Sequence, residues 1–444
     1  MFSWYRELTT RERRTFWGCF AGWAVDAMDA QLFSFALPAL IALWGLSTAQ
    51  AGYLATATLI AAAVGGWACG LLADRFGRVR VMQFTIAWFS LFTLVAGLTQ
   101  NFEQLLVVRI LQGLGFGGEW AAGAVLMGEI IRPAHRGKAV GCVQSGFGVG
   151  WSAAALLAAV VLAHLPAEDG WRLLLMLGVV PGALVLWLRR SLSEPEVYRS
   201  TCEALAASGR RPGVSAIFAR QTLPTTVMAS LLAFGVIGVG GAIVNWLPTF
   251  LKEARHLSAG ASGFHAFLVT AGAFFGFLTS AYLADALGRR RTFQLFLGCS
   301  WLVTVAYMFL PLSGWSLMAM GLPFGFFTIG NYAALGPFFT ELFPTAIRAS
   351  GQSFAYNFGK AAGAVAVSCI GLMAQWVGLG EAIGAIALIG YVVAIIATLL
   401  LPETRGISLA ADAPADDGLA KEAPVHVAAL GADRHPFHLP THGG

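Results

Sequence analysis

Twelve apolar segments, separated by short polar stretches, occupy most of the 444 residues. An apolar run of about 20 residues can cross the hydrocarbon core of a bilayer, and a helix satisfies its own backbone hydrogen bonds there. The pattern therefore predicts twelve transmembrane helices, which we number 1 to 12. Their predicted bounds are about 15–43, 50–73, 80–99, 103–131, 139–163, 171–188, 222–250, 260–284, 292–312, 315–341, 349–376 and 381–401.

Composition supports a membrane protein. The chain is 57% hydrophobic and 11% charged, whereas soluble domains carry about 25% charged residues. The fold class we expect is therefore an all-α polytopic membrane protein. The six cysteines are scattered without a metal-ligand spacing, so we expect no disulfide, metal site or cofactor.

Two polar stretches divide the chain. Residues 189–221 contain "RRSLSEPEVYRS" and "SGRRPG", which is typical of a cytoplasmic linker between residues 1–188 and 222–401, each of which holds six helices. Residues 402–444 are rich in Ala, Pro, Asp and Gly, so we expect a disordered cytoplasmic tail. The tail holds His426, His435, His438 and His442, which could bind a metal, although a solvated tail is the interpretation we favour.

Lys and Arg residues crowd one side of the predicted helices. That side holds four arginines before helix 1, three after helix 2 and six in the linker. The opposite loops hold only Arg172, Lys252 and Arg255. By the positive-inside rule the crowded side is cytoplasmic, which puts both termini there and predicts a location in the cell inner membrane (plasma membrane). This topology explains the net charge of +5 without a nucleic-acid partner.

Two motifs recur about 211 residues apart. "LLADRFGRVR" begins at Leu71 and "YLADALGRRR" at Tyr282, each where an apolar segment ends. "GEIIRPAHRGK" after helix 4 likewise resembles "TELFPTAIRAS" after helix 10. The chain is therefore two copies of a six-helix unit, a plan in which transporters bind substrate between the halves.

The first motif, together with one in helix 4, resembles the signatures of the major facilitator superfamily across the whole twelve-helix region. The helix 2–3 pattern is Gly70, Leu72, Ala73, Asp74, Arg75, Gly77 and Arg78, with Val79 where the family has a second basic residue; the helix 4 pattern is Arg109, Gln112 and Gly113. The stretches "WYRELTTRERRTF", "DAMD" and "GGEWAAG" resemble the sialate:proton and the aromatic acid:proton symporters. The resemblance implies two six-helix bundles and transport by alternating access.

The repeated motif predicts a cytoplasmic gate. Gly66 and Gly70 give helix 2 a face that permits close approach of another helix, which the resemblance implies is helix 11, and Asp74 can then meet its N-terminus. Arg78 can pair with Glu129. The expected gate residues are Asp74, Arg75, Arg78 and Glu129, repeated by Asp285, Arg289 and Glu341. Arginines that only fix topology are the alternative, but they leave the aspartates unexplained.

Ionisable residues in mid-membrane mark functional sites by default. We expect Asp29, Asp26 and Glu119 to couple proton movement, and Arg109, Lys360, Gln144, Tyr356, Asn357, Asn245 and Asn331 to bind substrate. When ionised, Asp29 would pair with Arg109, and a protonated Asp29 would free Arg109 for a substrate carboxylate. Lys360 is the alternative or second anion ligand. Asp26 and Glu119 also have purely structural interpretations.

The favoured function is proton-coupled uptake of a small organic anion by a functional monomer in the bilayer. The alternative is a proton antiporter that exports a drug or metabolite, although helix 5 lacks the Gly-Pro element that is usual in such exporters. A sensor or a membrane enzyme is a third class, but no catalytic constellation or ATP-binding motif is present. A sialic acid, a benzoate-like acid and a short hydroxy or keto acid remain open as substrates.

Overall fold

The computed structural model describes residues 3–190, 192–209, 213, 215–257 and 259–409. These residues form twelve membrane-spanning helices, as predicted. Eight are continuous: helix 1 is Thr10–Trp44, helix 2 Thr48–Phe76, helix 3 Arg78–Leu98, helix 4 Phe102–Ile130, helix 8 Ala259–Ala286, helix 9 Arg289–Phe309, helix 11 Arg348–Val377 and helix 12 Leu379–Leu400.

Four helices are interrupted, which the hydrophobic pattern did not predict. Helix 5 is Arg136–Gln144 and Gly146–His164, and helix 6 is Ala167–Leu177 and Val179–Arg189. Helix 7 contains a π-helical segment, Phe234–Val239, between Leu223–Ala233 and Gly240–Glu253. Helix 10 is Gly314–Thr328 and Tyr332–Leu342. A run of apolar residues reports burial in lipid but not whether the backbone inside it is continuous.

Within the described residues, ten helices are long and apolar enough to cross a membrane by length and composition alone. Helices 4 and 10 are not among them. The break in helix 10 divides its length, and helix 4 carries Gln112 and Glu119 in a stretch rich in glycine.

Glycines allow two close helix contacts. A Cβ added at Gly65, Gly113 or Gly117 would collide with the facing backbone between helices 2 and 4. A Cβ at Gly66 would meet Asn357, and one at Gly70 would meet the Ala349 carbonyl, both on helix 11. The predicted small-residue face of helix 2 therefore contacts helix 11, and it brings Asp74 to that helix.

The glycine of each repeated motif has a backbone reason. Gly77 has φ 109° and Gly288 has φ 97°, and each immediately precedes a helix, helix 3 or helix 9. Residues with a side chain rarely adopt such angles. The motif thus turns the chain sharply at the same cytoplasmic position in both halves.

The linker and the start of the tail are structured. The linker contains a helix, Glu196–Ser208. Residues 402–409 lie against the cytoplasmic helix ends, where the Ile407 carbonyl accepts a hydrogen bond from Arg136 at 2.8 Å, so the expected disorder does not begin at residue 402. Residues 410–444, with the four tail histidines, lie outside the described residues.

Candidate functional site

Asp74 caps helix 11. Its Oδ1 accepts a hydrogen bond from the Ala349 backbone N–H at 3.1 Å, and its Oδ2 accepts from the Ser350 N–H at 2.8 Å and the Ser350 hydroxyl at 2.6 Å. The first turn of a helix has unpaired N–H groups and a positive dipole end, which a carboxylate satisfies. The contact is the one that the motif predicted.

Arg78 is fully buried beside this cap. Its Nε lies 3.2 Å from Oε2 of Glu129, as predicted, and its Nη1 lies 3.1 Å from Oδ1 of Asp74. The Tyr198 ring of the linker lies over the guanidinium, 4.3 Å from its centre. Burial raises the pKa of the Tyr198 phenol above its ordinary value, so the ring stays neutral at physiological pH.

The second half repeats the arrangement. The two carboxylate oxygens of Asp285 accept hydrogen bonds from the backbone N–H groups of Gly137 and Lys138 in helix 5, each at 2.9 Å. Arg289 Nη2 lies 2.8 Å from Oε1 of Glu341. Each aspartate therefore caps a helix of the opposite half, since helix 2 contacts helix 11 and helix 8 contacts helix 5.

Two further arginines connect the halves directly. Arg348 Nη1 lies 2.7 Å from Oε1 of Glu129, and Arg136 Nη1 lies 3.0 Å from Oε1 of Glu341. All four side chains are almost completely buried. Arg136 and Arg348 occupy matching positions in the repeated stretches, but the sequence analysis did not predict their contacts with Glu341 and Glu129. Together with the two caps they join the two halves at one end of the helices.

Two glutamates outside the predicted spans were missed. Glu194 of the linker accepts hydrogen bonds from the N–H groups of Arg78 and Val79 at 2.8 and 2.9 Å, at the start of helix 3. Glu403 does the same for Arg289 and Arg290 at the start of helix 9, at 2.8 and 3.1 Å. Each follows the sixth helix of its half next to a proline, so the repeat could have revealed the pair.

Arg75 does not take part in these contacts, although it was expected among the gate residues. Its side chain is exposed and lies over the Phe76 ring at 5.5 Å. Among the described residues it forms no ion pair. The motif position after Asp74 points away from helix 11, because neighbouring residues of a helix face directions about 100° apart.

Lys360 lies at the centre, between the halves. It is on helix 11 and interacts electrostatically with Asp26 of helix 1. Its ammonium lies 4.9 Å from the Tyr356 ring centre and 5.7 Å from that of Phe116 on helix 4. Lysine and aspartate in mid-membrane are costly unless paired, so the two halves contribute opposite charges to one site.

An aromatic stack lies one turn closer to the N-terminus of helix 11. The rings of Trp120 on helix 4 and Tyr356 on helix 11 are 3.7 Å apart and inclined by 19°. The Trp120 indole donates a hydrogen bond to Oε1 of Gln144 at 2.7 Å, which fixes the ring and joins the predicted ligand Gln144 to this layer. The stack joins helix 4 to helix 11 and so crosses the interface between the halves.

The predicted partners Asp29 and Arg109 interact electrostatically, but Gln112 lies between their side chains. Asp29 accepts hydrogen bonds from the Thr93 hydroxyl and from Gln112 Nε2, the latter at 2.5 Å, and Arg109 Nη1 donates to Gln112 Oε1 at 2.6 Å. Gln112 follows Arg109 by three residues on the same helix face, so it occupies the space between the charges. Phe33 covers the guanidinium at 3.8 Å, and the network lies inside the N-terminal half.

The remaining predicted residues are dispersed. Glu119 accepts a hydrogen bond from Thr85 of helix 3 at 3.3 Å. Asn357 donates to the Ser353 carbonyl and contacts helix 2. Asn245 is exposed, and Asn331 is buried at the break in helix 10. Periodicity puts these residues on the predicted helices but does not fix the direction of each side chain.

The chain matches the family model described as Major Facilitator Superfamily over residues 19–367. It is 44% identical to a "Probable 4-methylmuconolactone transporter" of Cupriavidus pinatubonensis, over 92% of this chain and 95% of that relative. It is 31% identical to the "Cis,cis-muconate transport protein" of Acinetobacter baylyi, over 80% and 86%. The structure of the proton:xylose symporter XylE aligns with a TM-score of 0.75 at 17% identity, over 90% of this chain and 98% of XylE.

Proposed function

As the chain belongs to the major facilitator superfamily, it is a membrane transporter and not an enzyme, and we propose that it imports a small organic acid together with a proton. We assign an aromatic or unsaturated carboxylate as the substrate class. The names of the two relatives, which refer to 4-methylmuconolactone and cis,cis-muconate, support this class. The aromatic layer of Trp120 and Tyr356 beside Lys360 supports it as well, because a flat substrate can pack against such rings.

The observation that carries the proposal is the opposition of Lys360 and Asp26 across the two halves. Without substrate, the ionised Asp26 neutralises Lys360. When Asp26 accepts a proton, Lys360 loses its partner and can bind a substrate carboxylate in its place. One proton and one anion are thereby loaded together, without covalent chemistry, since a buried charge needs a counter-charge in either state.

Asp29 and Arg109 have a different role in this proposal. Asp29 accepts hydrogen bonds from Thr93 and Gln112, and Gln112 connects it to Arg109. Each of these contacts joins helix 1 to helix 3 or helix 4 of the same half. We therefore assign the network to fixing helix 1 against helices 3 and 4, and Glu119, which is bonded to helix 3, to the same kind of support.

The cytoplasmic contacts act as the inner gate. The halves are joined by the helix caps of Asp74 and Asp285 and by the ion pairs of Arg136 and Arg348. These contacts must break before substrate leaves toward the cytoplasm. The distribution of Lys and Arg supports a plasma-membrane orientation with both termini cytoplasmic. Because the two halves of one chain supply all of these residues, we propose that the monomer is functional.

The proposal is tested with purified protein in liposomes. We expect an inward proton gradient to load the vesicles with a radiolabelled unsaturated carboxylate, and an ionophore that collapses the gradient to abolish accumulation. Emptying of preloaded vesicles under the same gradient would instead indicate export by antiport. Binding of a panel of sialic, aromatic and unsaturated acids to the same preparation would define the substrate class.

A further inference from the structure

The interior of the C-terminal half contains a group of polar side chains without partners. The hydroxyls of Ser300, Thr304, Thr328 and Tyr391 and both amide atoms of Asn331 make no hydrogen bond within the described residues. Each of the five residues is at most 1% exposed. We call these five residues the C-half polar cluster. Asn331, which was expected to bind substrate, belongs to this cluster.

The cluster lies between helices 9, 10 and 12. Phe293 contacts Phe338 with ring centres 5.8 Å apart, and Tyr307 contacts Phe324 at 5.2 Å, so helices 9 and 10 run antiparallel. Ser300 and Asn331 lie between these two ring pairs along their helices. Thr304 and Thr328 lie one turn closer to the Tyr307 pair, and both are close to the Tyr391 hydroxyl.

Tyr391 completes the cluster from helix 12. Its hydroxyl lies close to those of Thr304 and Thr328 but has no hydrogen bond of good geometry with either. The aromatic pairs close the cluster toward both membrane surfaces. The result is a short polar compartment inside one bundle, separate from the centre that Lys360 occupies.

The internal repeat explains why these hydroxyls lack partners. The repeat interval of 211 residues relates Thr304 to Thr93 of the N-terminal half. Thr93 donates to Asp29 and accepts from Gln112. The same interval relates Asp29 to Gly240 and Gln112 to Pro323, neither of which has a polar side chain. The C-terminal half therefore retains the hydroxyl but not the groups that it would bind.

We propose that the C-half polar cluster is a binding site for water molecules. An unpaired hydroxyl or amide buried in a bilayer-embedded bundle is strongly unfavourable, and five such residues converge here. Water both donates and accepts, so it can satisfy the hydroxyls and both ends of the Asn331 amide. A monovalent cation would suit the oxygens but not the Asn331 Nδ2, and the cluster contains no carboxylate to balance its charge.

The water site lies at the break in helix 10. Helix 10 stops at Thr328 and resumes at Tyr332, and the Gly330 carbonyl within the break accepts a hydrogen bond from Ser280 of helix 8 at 2.6 Å. Thr328 and Asn331 flank the same break. Water held by these two side chains keeps the break in a polar environment, in the way that other interrupted membrane helices are stabilised. This role requires neither the proton nor the substrate of the proposed function.

Isosteric substitutions of the full-length protein test the site. Thr304→Val and Thr328→Val keep the side-chain shape and remove one hydroxyl each. The control is Thr58→Val, because the Thr58 hydroxyl is also buried but donates to the Leu54 carbonyl of its own helix at 2.7 Å. If water fills the cluster, both variants should unfold at temperatures several degrees below that of the control. If the cluster is dry, removing an unpaired hydroxyl should raise the unfolding temperature above wild type, which would overturn the proposal.

Two further measurements remain decisive if a variant fails to fold. A high-resolution structure of the wild-type protein should contain ordered water within hydrogen-bond distance of Asn331 and Thr328, and a dry cluster there would refute the site. The unfolding temperature of the wild type should be the same in sodium chloride and choline chloride. A rise specific to sodium that Thr328→Val removes would identify a cation site and contradict water as the ligand.

Discussion

The two halves of the molecule agree at their cytoplasmic ends and differ in their interiors. Each half has an aspartate that caps a helix of the other half and an arginine paired with a glutamate, Arg78 with Glu129 and Arg289 with Glu341. Inside the N-terminal half, a charged network runs from Asp29 to Arg109. In the interior of the C-terminal half, the described residues instead form the uncharged C-half polar cluster.

This difference distinguishes the contacts between the halves, which are duplicated, from the mid-membrane charges, which are not. The contacts between the halves occur twice, because the motif that makes them is repeated. The mid-membrane charges are not shared: Asp26, Asp29, Arg109 and Glu119 are in the N-terminal half, and Lys360 is in the other. Because buried charge is costly, its uneven distribution is the reason that we propose these positions as the sites of substrate and proton.

The largest effect should follow from removing Lys360, the one mid-membrane charge among the described residues of the C-terminal half. Lys360→Met leaves Asp26 and a substrate carboxylate without their cation. Loss of a buried charge partner costs about 2 kcal/mol or more, which corresponds to at least about a thirtyfold rise in Kd. Binding to purified protein in nanodiscs measures it, with Lys360→Arg as the charge-retaining control. Unchanged affinity in Lys360→Met would move the anion site elsewhere, first to Arg109.

The two helix 1 carboxylates should respond differently. Asp26→Asn imitates a permanently protonated carboxyl, so counterflow exchange should persist while accumulation against a gradient is lost. Asp29→Asn disturbs the hydrogen bonds of Thr93 and Gln112, so it should lower the unfolding temperature and leave coupling in place. Counterflow, accumulation and thermal unfolding of both variants make the comparison. If Asp29→Asn alone uncouples transport, the proton carrier is Asp29, and the two carboxylates have exchanged the roles that we assign to them.

The duplicated caps should contribute equally. Asp74→Asn and Asp285→Asn each weaken one contact between a charge and a helix N-terminus, worth about 0.3–1 kcal/mol and up to about 2 kcal/mol when partly buried. Each variant should change turnover several-fold with little change in substrate affinity. Initial uptake rates at saturating substrate measure this. A wild-type rate in either variant would show that the corresponding cap does not limit the opening of the cytoplasmic side.

The smallest effects should come from the caps at the start of helices 3 and 9. Glu194→Gln and Glu403→Gln keep an acceptor oxygen but lose the charge, so we expect a loss of stability of about 1 kcal/mol or less. Glu196→Gln is the control, because its ion pair with Arg11 is exposed and such pairs contribute little. Thermal unfolding compares the three variants. A shift in Glu196→Gln as large as the others would refute the capping role.

The cytoplasmic contacts were predictable because a repeated motif gives two independent views of one arrangement. Asp74, Arg78 and Glu129 recur as Asp285, Arg289 and Glu341, and their partners follow from helix ends. The contacts in the membrane interior were harder to predict from the sequence. Gln112 intervenes between Asp29 and Arg109 because of side-chain reach, which spacing along one helix does not specify. Nor does spacing reveal that Asn331 is buried without a hydrogen-bond partner among the described residues.

Two other features could not be predicted from the hydrophobic pattern. The break in helix 10 lies in a segment whose apolar character continues on both sides of Asn331. Glu194 and Glu403 lie in polar stretches outside the spans, where composition suggested only a linker and a tail. Each glutamate follows the sixth helix of its half, so extending the repeat comparison past the membrane would have found them.

The central claim is that a proton and an organic acid move inward together through the site of Asp26 and Lys360. Its most direct test records internal pH in liposomes while an unsaturated carboxylate gradient drives uptake, for wild type and Asp26→Asn. We expect the wild-type lumen to acidify as substrate enters, and Asp26→Asn to admit substrate without acidification. Alkalinisation of the wild-type lumen during uptake, or acidification that persists in Asp26→Asn, would contradict the claim.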